Sequence, residues 1–105
     1  MKYFRLKKQS DFDKLFKKGN RAFSSSLTMI YRPSEKTIMG ISVGKRHGQS
    51  VKRNRIKRLI REAFRSEMPL LKKNYAIIFI PKVSENYEFH VYKKHIRQMI
   101  EKGGL

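Results

Sequence analysis

Lys52-Arg53-Asn54-Arg55-Ile56-Lys57-Arg58-Leu59-Ile60-Arg61-Glu62-Ala63-Phe64-Arg65 sets seven cations around a helical apolar stripe. Ile56, Leu59, Ile60, Ala63 and Phe64 recur at helical spacing, one band at about 100° per residue. Such a band has to be covered, so the helix lies on a core. Lys57, Arg58, Arg61 and Arg65 gather on the opposite side, and Lys52, Arg53 and Arg55 fall in the first turn. There the free backbone N–H groups and the macrodipole favour Asp or Glu. Only Glu62 offers an intrahelical partner. A solvated charged face is the ordinary fate of a charge run, but cations at the wrong end of the dipole ask for an anion from outside the chain.

Working outward, Ser10 reads as the N-cap of a first helix with Phe12, Leu15 and Phe16 on one face and Gly19 closing it. Leu27, Met29 and Tyr31 alternate with Thr28, Ile30 and Arg32. After the Pro33-Ser34-Glu35-Lys36 turn, Met39, Ile41 and Val43 alternate in the same way. Two strands joined by a short turn predict a β-hairpin. Ser50 reads as the N-cap of the basic helix, which Pro69 stops. Tyr75 to Ile80 is a nearly unbroken apolar run ended by Pro81, the pattern of a strand covered on both faces. From Asn86 as N-cap, Phe89, Tyr92, Ile96, Met99 and Ile100 recur at helical spacing up to Gly103-Gly104. The expected class is α+β, a two-layer α/β sandwich on a mixed sheet, in the order α, β-hairpin, α, β, α.

The chain has 105 residues, enough for one domain (1–105) with a single modest core. With 26 Lys+Arg against 8 Asp+Glu the net charge is +18, a self-repulsion that a polyanion would relieve. Nucleic acid is the leading partner class. A membrane surface could supply the charge, but no apolar run approaches bilayer length, and the amphipathic faces look committed to the core. The N-terminal Met-Lys-Tyr-Phe-Arg-Leu-Lys-Lys lacks an apolar stretch of signal length, and there is no cysteine, so a cytoplasmic protein is expected.

Side-chain catalysis finds little support. His47, His90 and His95 are scattered, with no Cys or paired carboxylate to complete a metal set. Asp11 with Asp13, and Glu85 with Glu88, are better read as first-turn helix charges than as an acid/base pair. Gly40 to Arg46 imitates a phosphate loop but has three residues between its glycines where four are needed, and Arg where Ser or Thr should follow Lys. Phe12 and Phe16, one turn apart beside Lys14, Lys17 and Lys18, suit a core. If either stays partly exposed it offers a stacking plane to an unpaired base.

Ile41-Ser42-Val43-Gly44-Lys45-Arg46, followed by Arg53 to Phe64 with its Arg-Asn-Arg opening, closely resembles the protein subunit of bacterial ribonuclease P. The resemblance extends over Ser10 to Gly19 and Tyr75 to Pro81, nearly the whole chain. It implies a sandwich whose parallel strands are joined by a left-handed crossover through the basic helix, against the usual handedness rule. It implies a catalyst made of RNA with bound magnesium, cutting precursor tRNA to release the 5′ leader, with no cofactor held by the protein alone and no protein partner. Lys45, Arg46, Lys52, Arg53, Asn54, Arg55, Lys57, Arg58, Arg61 and Arg65 would then face the catalytic RNA. Phe12, Lys14, Phe16, Thr28, Ile30 and Ser42 would line a cleft for the leader. Where relatives often place a stacking Tyr this chain has Ile30, with Tyr31 next to it on the other strand face. Either the leader loses a stacking plane or the strand is shifted by one residue. The competing class, a structural ribosomal protein, shares the charge and the small α/β domain.

Overall fold

The computed structural model describes residues 2–105. Eight regular elements follow one another: β1 (Phe4–Arg5), α1 (Gln9–Lys18), β2 (Asn20–Phe23), β3 (Leu27–Pro33), β4 (Ile38–Ile41), α2 (Ser50–Glu67), β5 (Tyr75–Pro81) and α3 (Phe89–Gly103). Short 3-10 turns occupy Lys45–His47 and Met68–Leu70. The mixed α+β class stands, but the strand pairing differs from the expected hairpin.

The sheet order is β1-β4-β5-β3-β2. β3 and β4 do not pair; β5 lies between them, antiparallel to β3 and parallel to β4. The reason is β5 itself. Tyr75, Ile77, Ile78 and Phe79 are all buried, and a strand apolar on both faces gains most from a central position. Residues 34–37 need only cross two strand spacings, about 10 Å, within reach of four extended residues. The hairpin that does form joins β2 to β3. Ser24 turns it, its N–H and hydroxyl both donating to the Leu27 carbonyl at 3.0 and 2.8 Å. β1 and β2 are too short and polar to leave an alternating pattern in the sequence.

Leu27, Met29, Met39, Ile77 and Phe79 face one side of the sheet and meet Ile56, Ile60, Ala63 and Phe64 of α2 and Tyr92, Ile96 and Ile100 of α3. This is the expected sandwich. On the other side Ile30 and Ile78 form a smaller core with Leu6 and Leu15, so α1 adds a partial third layer. α2 links β4 to the neighbouring parallel strand β5, a βαβ unit. Its far end is held by Glu67, 1% exposed, whose carboxylate accepts from Arg97 Nε of α3 at 2.6 Å and from Ser66 Oγ at 3.2 Å.

The helix starts shift by one or two residues from the sequence reading. Lys8 and Gln49 precede α1 and α2 in extended conformation, without side-chain caps, so Ser10 and Ser50 are already helical. Asn86 is not a cap either. Its N–H donates to Ser84 Oγ at 3.3 Å and its carbonyl accepts from that hydroxyl at 2.9 Å, a local turn that delays α3 until Glu88. Gly104, φ 65°, terminates α3 in the left-handed region.

Candidate nucleic-acid interface

Around α2 the cations divide into three groups according to angle. Asn54, Arg58, Arg61 and Arg65 lie on the side away from the buried stripe and form a ridge, with half-buried Lys57 on its margin toward Phe64. Arg53 lies in line with the stripe, in the helix's first turn, partly buried, its Nε without any partner. Lys52 and Arg55 occupy the other flank and line a cavity of about 270 Å³ shared with Glu85 and Glu88 of the β5–α3 loop. The ten residues are thus not one surface. Glu62 stands at the margin of the ridge toward Arg55, whereas Lys52 and Arg55 look onto two of the chain's eight acids. The ion pairs found among the described residues, His90–Glu88 and Arg97–Glu67, use none of the ten.

Lys45 and Arg46, both exposed, lie on the turn leading into α2. The turn is held by His47, which the sequence offers only as a metal ligand. His47 is buried, its Nδ1 2.7 Å from Tyr87 Oη, and that oxygen also accepts from the Ser84 N–H at 3.1 Å. Gly48 follows with φ 115°, open to glycine and strained for other residues. Burial holds the His47 pKa below its ordinary 6.5, helped by the Arg46 and Lys52 charges and opposed by a hydrogen bond to the Pro81 backbone. Burial also lowers His95, whose Nδ1 lies 2.6 Å from Ser26 Oγ. With both folded pKa values depressed, the unfolded chain binds more protons as pH falls through 6.5. Stability therefore falls below that pH and is fully present above it. Thermal unfolding from pH 8 to pH 5 should show this decline, with a shallower slope in His47→Gln; an unchanged slope would remove His47 as the anchor.

The proposed cleft residues share the α1 face of the sheet only in part. Thr28 pairs with Phe23 on one side and Ile80 on the other, so these three side chains stand on one face. Phe12, Phe16 and Ile80 are partly buried against the small core. The Ser42 N–H continues the ladder to the Phe79 carbonyl at 2.9 Å, and its side chain shares the face of Gly40, two residues earlier. Two expected residues do not belong. Lys14 is exposed and about 200° round α1 from Phe12, pointing away from the sheet. Ile30 has no exposed surface and is part of the floor. The strand is not shifted: Tyr31 turns to the main core, edge-on to Tyr75 at 6.0 Å. Ile80 and the 67%-exposed Phe23 join the face without having been expected there, Phe23 because β2 leaves no alternating pattern.

Gly40 sets how closely α1 approaches. A Cβ there would lie 2.7 Å from Phe12 Cζ and 3.0 Å from Leu6 Cβ. Gly40→Val should displace the Phe12 ring and cost roughly 1–3 kcal/mol by overpacking. Thermal unfolding, with the Phe12 ring resonances as a local probe, measures both effects; a variant of full stability with an unmoved ring would show that α1 is not held here.

Among the described residues no three His, Cys, Asp or Glu side chains come together as metal ligands, and no helix is long and apolar enough to cross a membrane. Fold and surface define a small, strongly basic α+β domain that presents a cationic ridge on one helix and a partly open, aromatic-edged sheet face. The chain belongs to the ribonuclease P protein family, whose model, Ribonuclease P, matches residues 1–104. The ribonuclease P protein component of Dictyoglomus turgidum is 40% identical over 106 residues, 96% of this chain and 89% of that one. That of Clostridium kluyveri is 36% identical and covers 100% of this chain and 98% of its own. The ribonuclease P proteins of Staphylococcus aureus and Thermotoga maritima superpose with TM-scores of 0.82 at 26% and 25% identity. They cover 97% and 93% of this chain, and 96% of each of those structures.

Proposed function

We propose that the chain acts in the cytoplasm as the protein subunit of the ribonuclease P ribonucleoprotein, binding its catalytic RNA and the 5′ leader of precursor tRNA. The observation that carries this is the ridge of Lys57, Arg58, Arg61 and Arg65 with Asn54, whose cations enter none of the ion pairs among the described residues, in a member of this family. Arg guanidinium groups suit bidentate contact with phosphate, and Lys57 adds a point charge on the same line. Arg53, its stem partly buried, would direct its terminal nitrogens outward beside them. The leader would lie over Phe12, Phe16, Thr28, Ser42 and Ile80, stacking on the partly exposed rings. Magnesium would be held by RNA phosphates, with the protein's charge easing the repulsion between strands, and the RNA would perform the cleavage.

A photocrosslinker placed in turn at positions 58 and 28 of the assembled ribonucleoprotein tests this arrangement. Position 58 should mark the RNA subunit and position 28 the leader. Marking of ribosomal RNA alone, or of neither strand, would contradict it.

A further inference from the structure

At the end of the sheet where β3 begins and β5 stops, the β2–β3 turn, the β5–α3 loop and the first turn of α3 enclose a cavity of about 320 Å³. Small-molecule sites occupy roughly 300–1,000 Å³, so the space suits a small ligand. Ser25, Lys82, Asn86, Glu88, Val91 and Tyr92 line it, none of them among the residues assigned above to RNA. Tyr92 is the residue that asks for a partner. It is 2% exposed, yet its hydroxyl makes no hydrogen bond within the chain, whereas that of the neighbouring Tyr87 is engaged by His47 and Ser84. A buried hydroxyl left unsatisfied is costly. Burial, helped by Tyr87, raises the Tyr92 pKa, so the group stays a neutral O–H able to donate.

The start of α3 supplies further donors. Glu88 precedes the helix in extended conformation without a side-chain cap, and the first N–H to find an acceptor is that of Tyr92, on the Glu88 carbonyl at 3.3 Å. The N–H groups of Phe89, His90 and Val91 are therefore free, at the positive end of the helix dipole. Lys82 adds a full positive charge to the same cavity. Glu88 adds a carboxylate of which one oxygen, Oε2, is held by His90 Nε2 at 2.9 Å while the other is open.

We propose that this cavity binds a free α-amino acid, its carboxylate on Lys82, the Tyr92 hydroxyl and the opening N–H groups of α3, and its ammonium on the open oxygen of Glu88. An α-amino acid carries its two charges on one carbon, so its site needs a cation and an anion side by side. That is the arrangement of Lys82, the α3 N-terminus and Glu88. A phosphate would be drawn by the first two and repelled by the third, and a metal cation would meet the reverse. Val91 and the Tyr87 ring leave an apolar wall for the ligand's side chain.

The full-length protein, titrated in chloride buffer with the standard amino acids one at a time, tests the site through the amide shifts of Lys82, Val91 and Tyr92. At least one amino acid should saturate these shifts. The amine lacking its carboxylate and the acid lacking its ammonium should each bind about tenfold more weakly or worse, the loss of one charge-assisted contact. Lys82→Gln and Glu88→Gln should each weaken the amino acid to a similar extent. Tyr92→Phe should weaken it by about fivefold, the loss of one neutral hydrogen bond. The thermal midpoint of that variant should not fall, because the hydroxyl bonds nothing in the free chain, and Arg32→Gln on β3 should leave binding unchanged. Inorganic phosphate binding as tightly as the best amino acid, indifference to Lys82→Gln, or no saturable shift with any amino acid would overturn the site. A lowered midpoint in Tyr92→Phe would show the hydroxyl already satisfied and would overturn it too. These titrations contain no RNA, so their failure alongside a working ribonucleoprotein would remove the pocket and spare the function.

Discussion

Replacing Lys57, Arg58 and Arg61 together with Ala should lower affinity for the ribonuclease P RNA by roughly a thousandfold at low salt, about tenfold for each charge-assisted hydrogen bond removed. It should also flatten the plot of log affinity against log salt by about 0.7–0.9 units for each phosphate that is no longer neutralised. Arg58 is exposed and Lys57 and Arg61 are half-buried, none of them among the core residues, so their truncation leaves the core intact. The ion pairs observed among the described residues lie elsewhere, so none of them holds these three charges. The same experiment with Lys52 and Arg55 should give a smaller change, because Glu85 and Glu88 share their surroundings. Filter binding across a salt series measures both; an unchanged slope in the triple variant would show that the ridge does not meet phosphates.

Phe79→Ala should have the largest effect on folding. Phe79 has no exposed surface and packs edge-on against Phe64 with ring centroids 5.5 Å apart, and Phe64 in turn meets Tyr3 at 5.4 Å. The ring therefore joins the central strand to α2 and to the N-terminal segment. Truncation of such a residue costs about 3–5 kcal/mol, a large part of the 5–15 kcal/mol that holds a typical domain together. The unfolding midpoint should drop by roughly 15–30 °C. Phe23→Ala, at a 67%-exposed ring, should stay within about 0.5 kcal/mol. Calorimetry that found the two variants alike would contradict the assignment of Phe79 to the core.

The periodic segments are legible because burial leaves a period in the sequence. The stripe of α2, the run Tyr75 to Ile80 and the face of α3 all fall where expected. Pairing is not legible. A short turn after β3 suggests a hairpin to β4, yet what decides sheet order is which strand most needs two covered faces, and that is β5. Burial also edits the site. Ile30 alternates as a cleft residue should, but α1 covers it completely; Lys14 neighbours the phenylalanines in sequence and not in space. His47 reads in the sequence only as a possible metal ligand, and its contact with Tyr87, forty residues away, comes from the fold alone.

The proposed role is tested most directly by cleavage of a precursor tRNA by the cognate ribonuclease P RNA at low magnesium, with and without this protein. Added protein should raise kcat/KM strongly for a substrate carrying its leader, and the triple ridge variant should lose most of that stimulation. Equal cleavage with and without the protein would contradict the account.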